Sequence, residues 1–486
     1  MTVCELTELY RRHVPHSPHP FVAPVPSPSL HQSDRLRHLR SGHEYGTSAP
    51  IPRTGEARMR DFHMPGRSAV WADNGLCATS HPLASQVAIE TLKRGGNAAD
   101  AAIAGAVLLG LCEPAMTGIG GDMFALIKHA GSESPVALNA SGRAPAAIDA
   151  EAIRAEGHSE IPVKSVHAIT VPGAIDGFDK LSARFGKLGL ADALAPAIAY
   201  MRAGVPVAPR VASDWQLGPA SLHESAYGTY MKNGQPLGVG DRFALPMQAD
   251  ALEAIAKHGR DGFYTGAVAA DMLATLHAMG GTHTEEDFAS TEATWGTPVE
   301  GPYRGMTILE HPPNGQGAAA LLLAAILEKF DIASMDPFGV ERAHIEAEAS
   351  KLAYDARNRQ IADPDHMKDP NVLLDPVLAD NLASLIDPKR AMPTPPPAAG
   401  AFHKDTIYIS VVDKDRMAVS LIYSIFHDFG SGIATDRYGI LFHNRGAGFN
   451  LIPGHANEIG PRKRPMHTIL PGMFAQNGKI LAPFGV

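Results

Sequence analysis

The 486-residue sequence reads as an α+β protein in which sheets are packed between helical layers, an αββα arrangement. Helix-period segments dominate the chain before residue 406, and runs rich in β-branched residues cluster after it. The length exceeds what one simple core fills, and the 45% hydrophobic and 19% charged content is that of a folded globule.

The bulk properties exclude several function classes. A net charge of -9 at a pI near 6.2 gives no footprint for nucleic acid. Three cysteines far apart in sequence, Cys4, Cys77 and Cys112, make neither a disulfide framework nor a zinc cluster. There is no HExxH motif, and the Gly120-Gly121 cluster lacks the Gly-Lys-Ser/Thr ending of a phosphate loop, so neither a metal nor a cofactor is expected. The start, MTVCELTELYRRHVPHSPHPFV, has no continuous apolar core or small-residue cleavage site, which argues against a secretory signal. The longest apolar stretch, Ala98 to Leu111, contains Asp100 and is short for a membrane span. The cytoplasm is the expected location, with no membrane partner.

Residues 1–65, rich in His, Pro, Ser and Arg and without periodicity, are expected to form a loosely ordered N-terminal extension. Short strands are expected at AVWA and GLCATS, between residues 69 and 80. Leu83, Val87 and Leu92 recur at helical spacing, so a helix runs from about Pro82 to Arg94 and stops at Gly95-Gly96. Asn97 can cap a second, Ala-rich helix, which is expected to be buried because it is apolar on most faces. Pro114 ends it, and the glycine cluster, either a tight turn or a pocket wall, leads into a strand from Met123 to Ile127. From about Pro172 to Arg390 the chain is mostly helical, with a strand and loop in GPYRGMTILEHPPNG. AMPTPPPAAG, residues 391–400, is a Pro-rich exposed loop. After it come two strand-like runs in TIYISVVDKDRMAVSLIYSIF, with further strands at GILFHN and KILAPF.

Thr406 opens the first of those runs directly behind the Pro-rich loop. A threonine hydroxyl is a weak nucleophile until a base takes its proton. A threonine that begins a chain supplies its own base, an α-amine with a reference pKa near 8. Thr406 meets the sequence requirement, a Thr at a strand start behind a cuttable loop, and an ordinary strand threonine meets it equally well.

The stretch from Asp405 to Asp415, with Ala418-Val419-Ser420, resembles the start of the small subunit of gamma-glutamyltransferases. Phe429 to Ile433, Gly439-Ile440-Leu441, Leu92 to Ala101, Glu113-Pro114 through Gly120-Gly121, and Pro461 to Pro465 continue the resemblance in order, over residues 68 to 486. The resemblance implies a four-layer αββα N-terminal nucleophile hydrolase fold. It implies a precursor cut between Asp405 and Thr406 into a large-subunit region, 66–405, and a strand-rich small-subunit region, 406–486, whose pieces stay associated. A homo-oligomer is compatible with it. It further implies attack by Thr406 on a small-molecule γ-glutamyl amide, an acyl-enzyme, and transfer to water or an amine acceptor. Ser424 takes the place of a family threonine that hydrogen-bonds near the nucleophile. Asn444 stands in the family's asparagine pair, where His443 replaces the first member.

The departures from the family pattern fall on substrate recognition. Gly448 stands where the family has an aspartate for the substrate α-amine, and Arg445 replaces a glutamine. An ammonium without its carboxylate would be poorly compensated, whereas an arginine in the pocket suits a carboxylate; a surface position for Arg445 is the competing reading. His467 and Thr468 replace two serines that contact the glutamyl α-carboxylate; both can still donate hydrogen bonds, and a packed His467 is the bland alternative. Arg143, in a segment two residues shorter than the family's, is a candidate for that carboxylate. These departures resemble the oxamate amidohydrolase-like branch more than a glutathione hydrolase. The ending at Val486, before a family Gly-Gly pair that serves the oxyanion hole, is read as a truncated C-terminus, with poor folding and little turnover expected of this form. The alternatives to an autoprocessed amidohydrolase or acyltransferase are an inactive, unprocessed precursor and a helical binding protein in which Thr406 is ordinary.

Overall fold

In the computed structural model the described residues are 69–393 and 406–485. The extension read at 1–65, Asp405, and residues 394–400 of the Pro-rich loop lie outside them. The elements discussed here belong to one unit, Ala72–Val486.

The strands are β1 (Gly75–Thr79), β2 (Asp122–Lys128), β3 (Val136–Ala140), β4 (Val205–Pro206), β5 (Arg242–Phe243), β6 (Thr294–Gly296), β7 (Val299–Tyr303), β8 (Met306–Glu310), β9 (Ile407–Asp413), β10 (Ala418–Ser424), β11 (Pro471–Gln476) and β12 (Lys479–Gly485). Six form one sheet in the order β1-β9-β10-β2-β3-β6, and four form a second in the order β12-β11-β8-β7; β4 and β5 make a small separate ribbon. All the ladders are antiparallel.

Period-2 alternation assigns the faces of the large sheet. Ile407, Ile409 and Val411 of β9, with Val419, Leu421 and Tyr423 of β10, enter the main helical core. The intervening Tyr408, Val412 and Ile422 pack instead with Phe124, Leu126, Leu309, Met473 and Ile469 between the two sheets. The helix Ala98–Cys112 covers the first face and is buried along its whole length. Asn97 caps it in a reciprocal box with Asp100. Asp100 sits in an apolar helix because its carboxylate also accepts the Lys187 and Leu188 N–H groups. The helix Gly317–Leu327 covers the outer face of the second sheet, and Val340–Gln360 packs on that helix. The layers are therefore helix, sheet, sheet, helix, as expected from the sequence.

Two strand assignments are corrected. GILFHN forms no ladder: Leu441 and Phe442 make single bridges to Ala434 and Gly120, and the segment is held by buried loop contacts. AVWA, residues 69–72, is not a strand either. Conversely β11, opened by Pro471-Gly472, is a strand that the sequence reading did not single out.

Candidate active site

Three polar residues lie in one row across the middle of the large sheet. Ser424 closes β10 and is in register with Asp122, which opens β2. The β9–β10 register, last paired at Tyr423 and Ile407, brings Thr406 opposite Ser424 on the other side. All three continue the face turned toward the second sheet. Thr406 Oγ1 is 3.2 Å from Ser424 Oγ. The Phe426 N–H donates to Ser424 Oγ at 2.9 Å, so that oxygen is fixed by a backbone group. The glycine cluster makes this approach possible: a Cβ at Gly121 would stand 2.5 Å from the Ser424 carbonyl oxygen. Its tight-turn reading is thus the one the packing explains.

Arg445 is fully buried. Its Nη2 reaches Ser424 Oγ at 3.4 Å, its Nη1 donates to Thr468 Oγ1 at 3.1 Å, and its guanidinium lies 4.0 Å from the centre of the Phe426 ring. Its Nε is buried with no hydrogen-bond partner. Burial lowers its pKa to about 9 although the Asp122 charge opposes the shift, so the group is a cation at neutral pH. The surface reading of Arg445 is excluded.

Asp122 is the charge at the end of the row. One carboxylate oxygen accepts the Gly142 and Gly173 N–H groups at 3.1 and 3.0 Å, and the other faces His467 Nε2 at 3.1 Å. Burial works against its charge. The His467 hydrogen bond and the Arg445 guanidinium work for it, and the carboxyl ends well below its ordinary range. Burial and the Arg445 charge lower His467 to about 3, so the ring is neutral and Nε2 carries the proton that Asp122 accepts. His467 Nδ1 is then a bare, buried acceptor without a partner. His443 lies 3.9 Å from Asp122 through Nδ1, but that atom accepts the Arg445 backbone N–H while Nε2 donates to the Thr170 carbonyl. That tautomer leaves no proton for an ion pair with Asp122, and Arg445 is the cation nearby.

The remaining sequence candidates are placed differently. Asn444 is buried, and its amide is committed: Oδ1 accepts the His427 N–H, and Nδ2 meets the Val163 carbonyl and His427 Nδ1. Arg143 keeps 35% of its side chain exposed and pairs with buried Asp363 at 3.2 Å and with the Arg462 carbonyl. Only the chain connection from Gly142 ties it to Asp122. Arg464, beside Lys463 in the motif, is consumed by Ser141, Thr294 and Glu292. Gly448 has no room for a side chain: a Cβ there would be 2.4 Å from the Met466 carbonyl oxygen. Asp122 and Phe426 were missed by the sequence reading. An acid at the mouth of a strand after a glycine run was the available signal for the first; nothing in the local pattern marked the second. Among the described residues no group of three or more His, Cys, Asp or Glu side chains could hold a metal ion, and no helix is long and apolar enough to cross a membrane.

A polar row at the head of a central strand, between two sheets flanked by helices, is the architecture of the N-terminal nucleophile hydrolases. Cephalosporin acylase from Bacillus halodurans matches the fold with a TM-score of 0.80 at 35% identity, covering 88% of this chain and 80% of that one. Helicobacter pylori gamma-glutamyltranspeptidase matches with a TM-score of 0.64 at 29% identity, covering 69% and 99%. The model of the Gamma-glutamyltranspeptidase family matches residues 84–486, and the chain belongs to that family. It is 36% identical over 408 residues to a glutathione hydrolase-like proenzyme of Bacillus subtilis (strain 168), covering 83% of this chain and 77% of the relative. It is 33% identical over 422 residues to the oxamate amidohydrolase proenzyme of Klebsiella pneumoniae, covering 84% and 78%.

Proposed function

We propose that the chain is an autoprocessed amidohydrolase that cuts itself before Thr406 and then turns over a small, carboxylate-bearing amide through an acyl-Thr406 intermediate. The observation that carries this reading is the Thr406–Ser424 contact at 3.2 Å at the head of β9, with a buried arginine directly behind it.

In the uncut chain the Thr406 hydroxyl attacks the Asp405 carbonyl, and water hydrolyses the resulting ester. This step frees the α-amine of Thr406. That amine then takes the hydroxyl proton as Oγ1 attacks the substrate carbonyl, and passes it to the departing amine. Water, or an amine acceptor, releases the acyl group. Ser424 positions Oγ1 throughout. The two pieces stay together because β9 and β10 lie between β1 and β2 in one ladder. Arg445, with Thr468, holds the substrate carboxylate, and the lack of a carboxylate at Gly448 disfavours a substrate that carries a free α-amine. The names of the relatives span glutathione hydrolase, oxamate amidohydrolase and acylase, and the Arg445 and Gly448 environment favours the second of these chemistries.

Denaturing electrophoresis of the purified protein tests the core of this reading. Two bands divided at residue 406 are expected, and one full-length band for Thr406→Ala. A Thr406→Ala protein that still yields a fragment starting at residue 406 would show that this hydroxyl does not cut the chain. A kcat/KM for glutathione above that for oxamate would refute the substrate reading.

A further inference from the structure

Thr468 is the member of the Arg445–Thr468 pair that solvent reaches: Arg445 is fully buried, and Thr468 is partly exposed. Thr468 Oγ1 accepts from Arg445 Nη1 at 3.1 Å, so its own proton stays available for an oxygen on the other side. Where that hydroxyl points depends on the main chain of residues 465–468, which belongs to no helix or strand.

A second loop, residues 312–316, holds this segment contact by contact. Asn314 Nδ2 donates to the Pro465 carbonyl at 2.6 Å. The His467 N–H donates to the Asn314 carbonyl at 2.8 Å, and Gly315 bridges His467 in parallel. Gln316 Nε2 closes the series on the Thr468 carbonyl at 2.6 Å. Two side-chain amides thus do here what a strand ladder does elsewhere.

Both amides are fixed from behind. Asn314 Oδ1 accepts Asn139 Nδ2 at 2.9 Å, and Gln316 Oε1 accepts Arg357 Nη1 at 2.7 Å. A guanidinium only donates, so Arg357 decides which end of the Gln316 amide is oxygen and turns the nitrogen to Thr468. Arg357 belongs to the helix Val340–Gln360. Gln316 also stands at the N-cap of the helix Gly317–Leu327, where a side chain ordinarily bonds the helix's own first N–H groups, and it makes no such bond. Its side chain is committed to Thr468 and Arg357, away from the helix it precedes.

We infer that Gln316 is a positioning residue for substrate recognition: held by Arg357, it fixes the Thr468 carbonyl and so aims Thr468 Oγ1 between Arg445 and the substrate carboxylate. Asn314 anchors the other end of the same segment. The inference rests on the reading of Arg445 and Thr468 as the pair that holds that carboxylate. Without the Gln316 contact the Thr468 main chain is free to turn, and the loss falls on substrates whose carboxylate the hydroxyl would have met.

The test measures kcat/KM of the processed protein for oxamate and for oxamide, in which a second amide takes the place of the carboxylate. The readout is the ratio of the two. Gln316→Leu is expected to lower the ratio by about tenfold, mainly through KM for oxamate, because the contact serves substrate and transition state alike. Gln316→Glu keeps an acceptor for Arg357 but sets a carboxylate oxygen against the Thr468 carbonyl. It should lower the ratio as far, and it decides alone if the leucine variant fails to fold. In a Thr468→Val background, which lacks the hydroxyl being aimed, Gln316→Glu should change the ratio by less than about twofold. A merely structural support would slow both amides equally and leave the ratio where it was. An unchanged ratio in the Gln316 variants, or one that falls as far in the Thr468→Val background, would overturn the inference. Failure of the underlying pair reading shows earlier, as an unmodified protein without preference for oxamate over oxamide, and takes the positioning role with it.

Discussion

Thr406 Oγ1 and Ser424 Oγ face each other at 3.2 Å across the β9–β10 ladder, and the second oxygen is pinned by the Phe426 N–H. A hydroxyl fixed by a backbone donor can hold its neighbour in one rotamer, which a solvated side chain would not. Ser424→Ala removes that hold and also strips the Phe426 N–H of its partner. Self-cleavage and turnover are both expected to slow by about tenfold or more, the equivalent of roughly 1–2 kcal/mol. Ser424→Thr, which keeps the oxygen, should recover most of the loss. Time courses of band conversion on a denaturing gel measure the first effect; an unchanged cleavage rate in the alanine variant would remove Ser424 from the machinery.

Asp122 balances Arg445 and accepts a hydrogen bond from His467, and all three side chains are fully buried. Asp122→Asn keeps the shape and deletes the charge. Its amide also turns a donor toward either the Gly142 and Gly173 N–H groups or His467 Nε2. Breaking one side of a buried, hydrogen-bonded charge set costs about 3–5 kcal/mol. The urea midpoint of Asp122→Asn should therefore fall sharply. A midpoint near that of the unmodified protein would mean that Asp122 carries little of the site's electrostatics.

Buried neutral histidines make the fold acid-sensitive from a pH well above the carboxylate range. Burial lowers His283 and His311 to about 4, and burial with the Arg445 charge lowers His467 to about 3. Each folded value lies below the ordinary histidine value of 6.5, so above pH 6.5 both folded and unfolded states are neutral and the stability is fully present. As pH falls below 6.5 the unfolded chain binds protons first, and stability is lost progressively until the folded values are reached. Asp122, also lowered, adds its loss only below the ordinary carboxylate range. Urea midpoints should be flat from pH 7 to 8 and decline steadily between pH 6.5 and 4. A midpoint that holds constant down to pH 5 would contradict the neutral buried rings.

The sequence made the core strands legible because β-branched runs survive any context: β9 and β10 appear where Ile407 to Val412 and Val419 to Ile425 place them. Asn97 was legible because a cap is a local device. GILFHN misled because a buried loop is as apolar as a strand; its polar groups are met by Gly120, Thr435 and Ile425 rather than by a ladder. Within the site, motif order located Thr406, Ser424, Arg445 and Thr468. It could not separate Asn444, whose amide serves the backbone, from a substrate ligand, since that depends on rotamers and on Val163, far away in sequence. Asp122 escaped notice for the same reason: its partners arrive from Gly142, Gly173 and His467, all non-local.

Gly448 is the position where sequence and packing speak to one question. The absent aspartate could in principle be restored by one substitution. The backbone forbids it, because any Cβ at residue 448 would stand 2.4 Å from the Met466 carbonyl oxygen, and that oxygen belongs to the segment that carries His467 and Thr468. The cost comes from main chain meeting main chain, which cannot swing aside as a flexible side chain would. Gly448→Ala and Gly448→Asp should both lose about 1–3 kcal/mol of stability, the usual penalty of overpacking. The displaced Met466–Thr468 segment should also weaken the Arg445–Thr468 contact, so kcat/KM for a short carboxylate amide falls together with stability. Glutathione turnover should not rise in the aspartate variant, because the new carboxylate arrives with a shifted loop. Urea midpoints and kcat/KM for glutathione and oxamate, measured on both variants, check this. A stable Gly448→Asp protein with raised glutathione turnover would show that the loop has room for the side chain and that substrate choice here hangs on one residue.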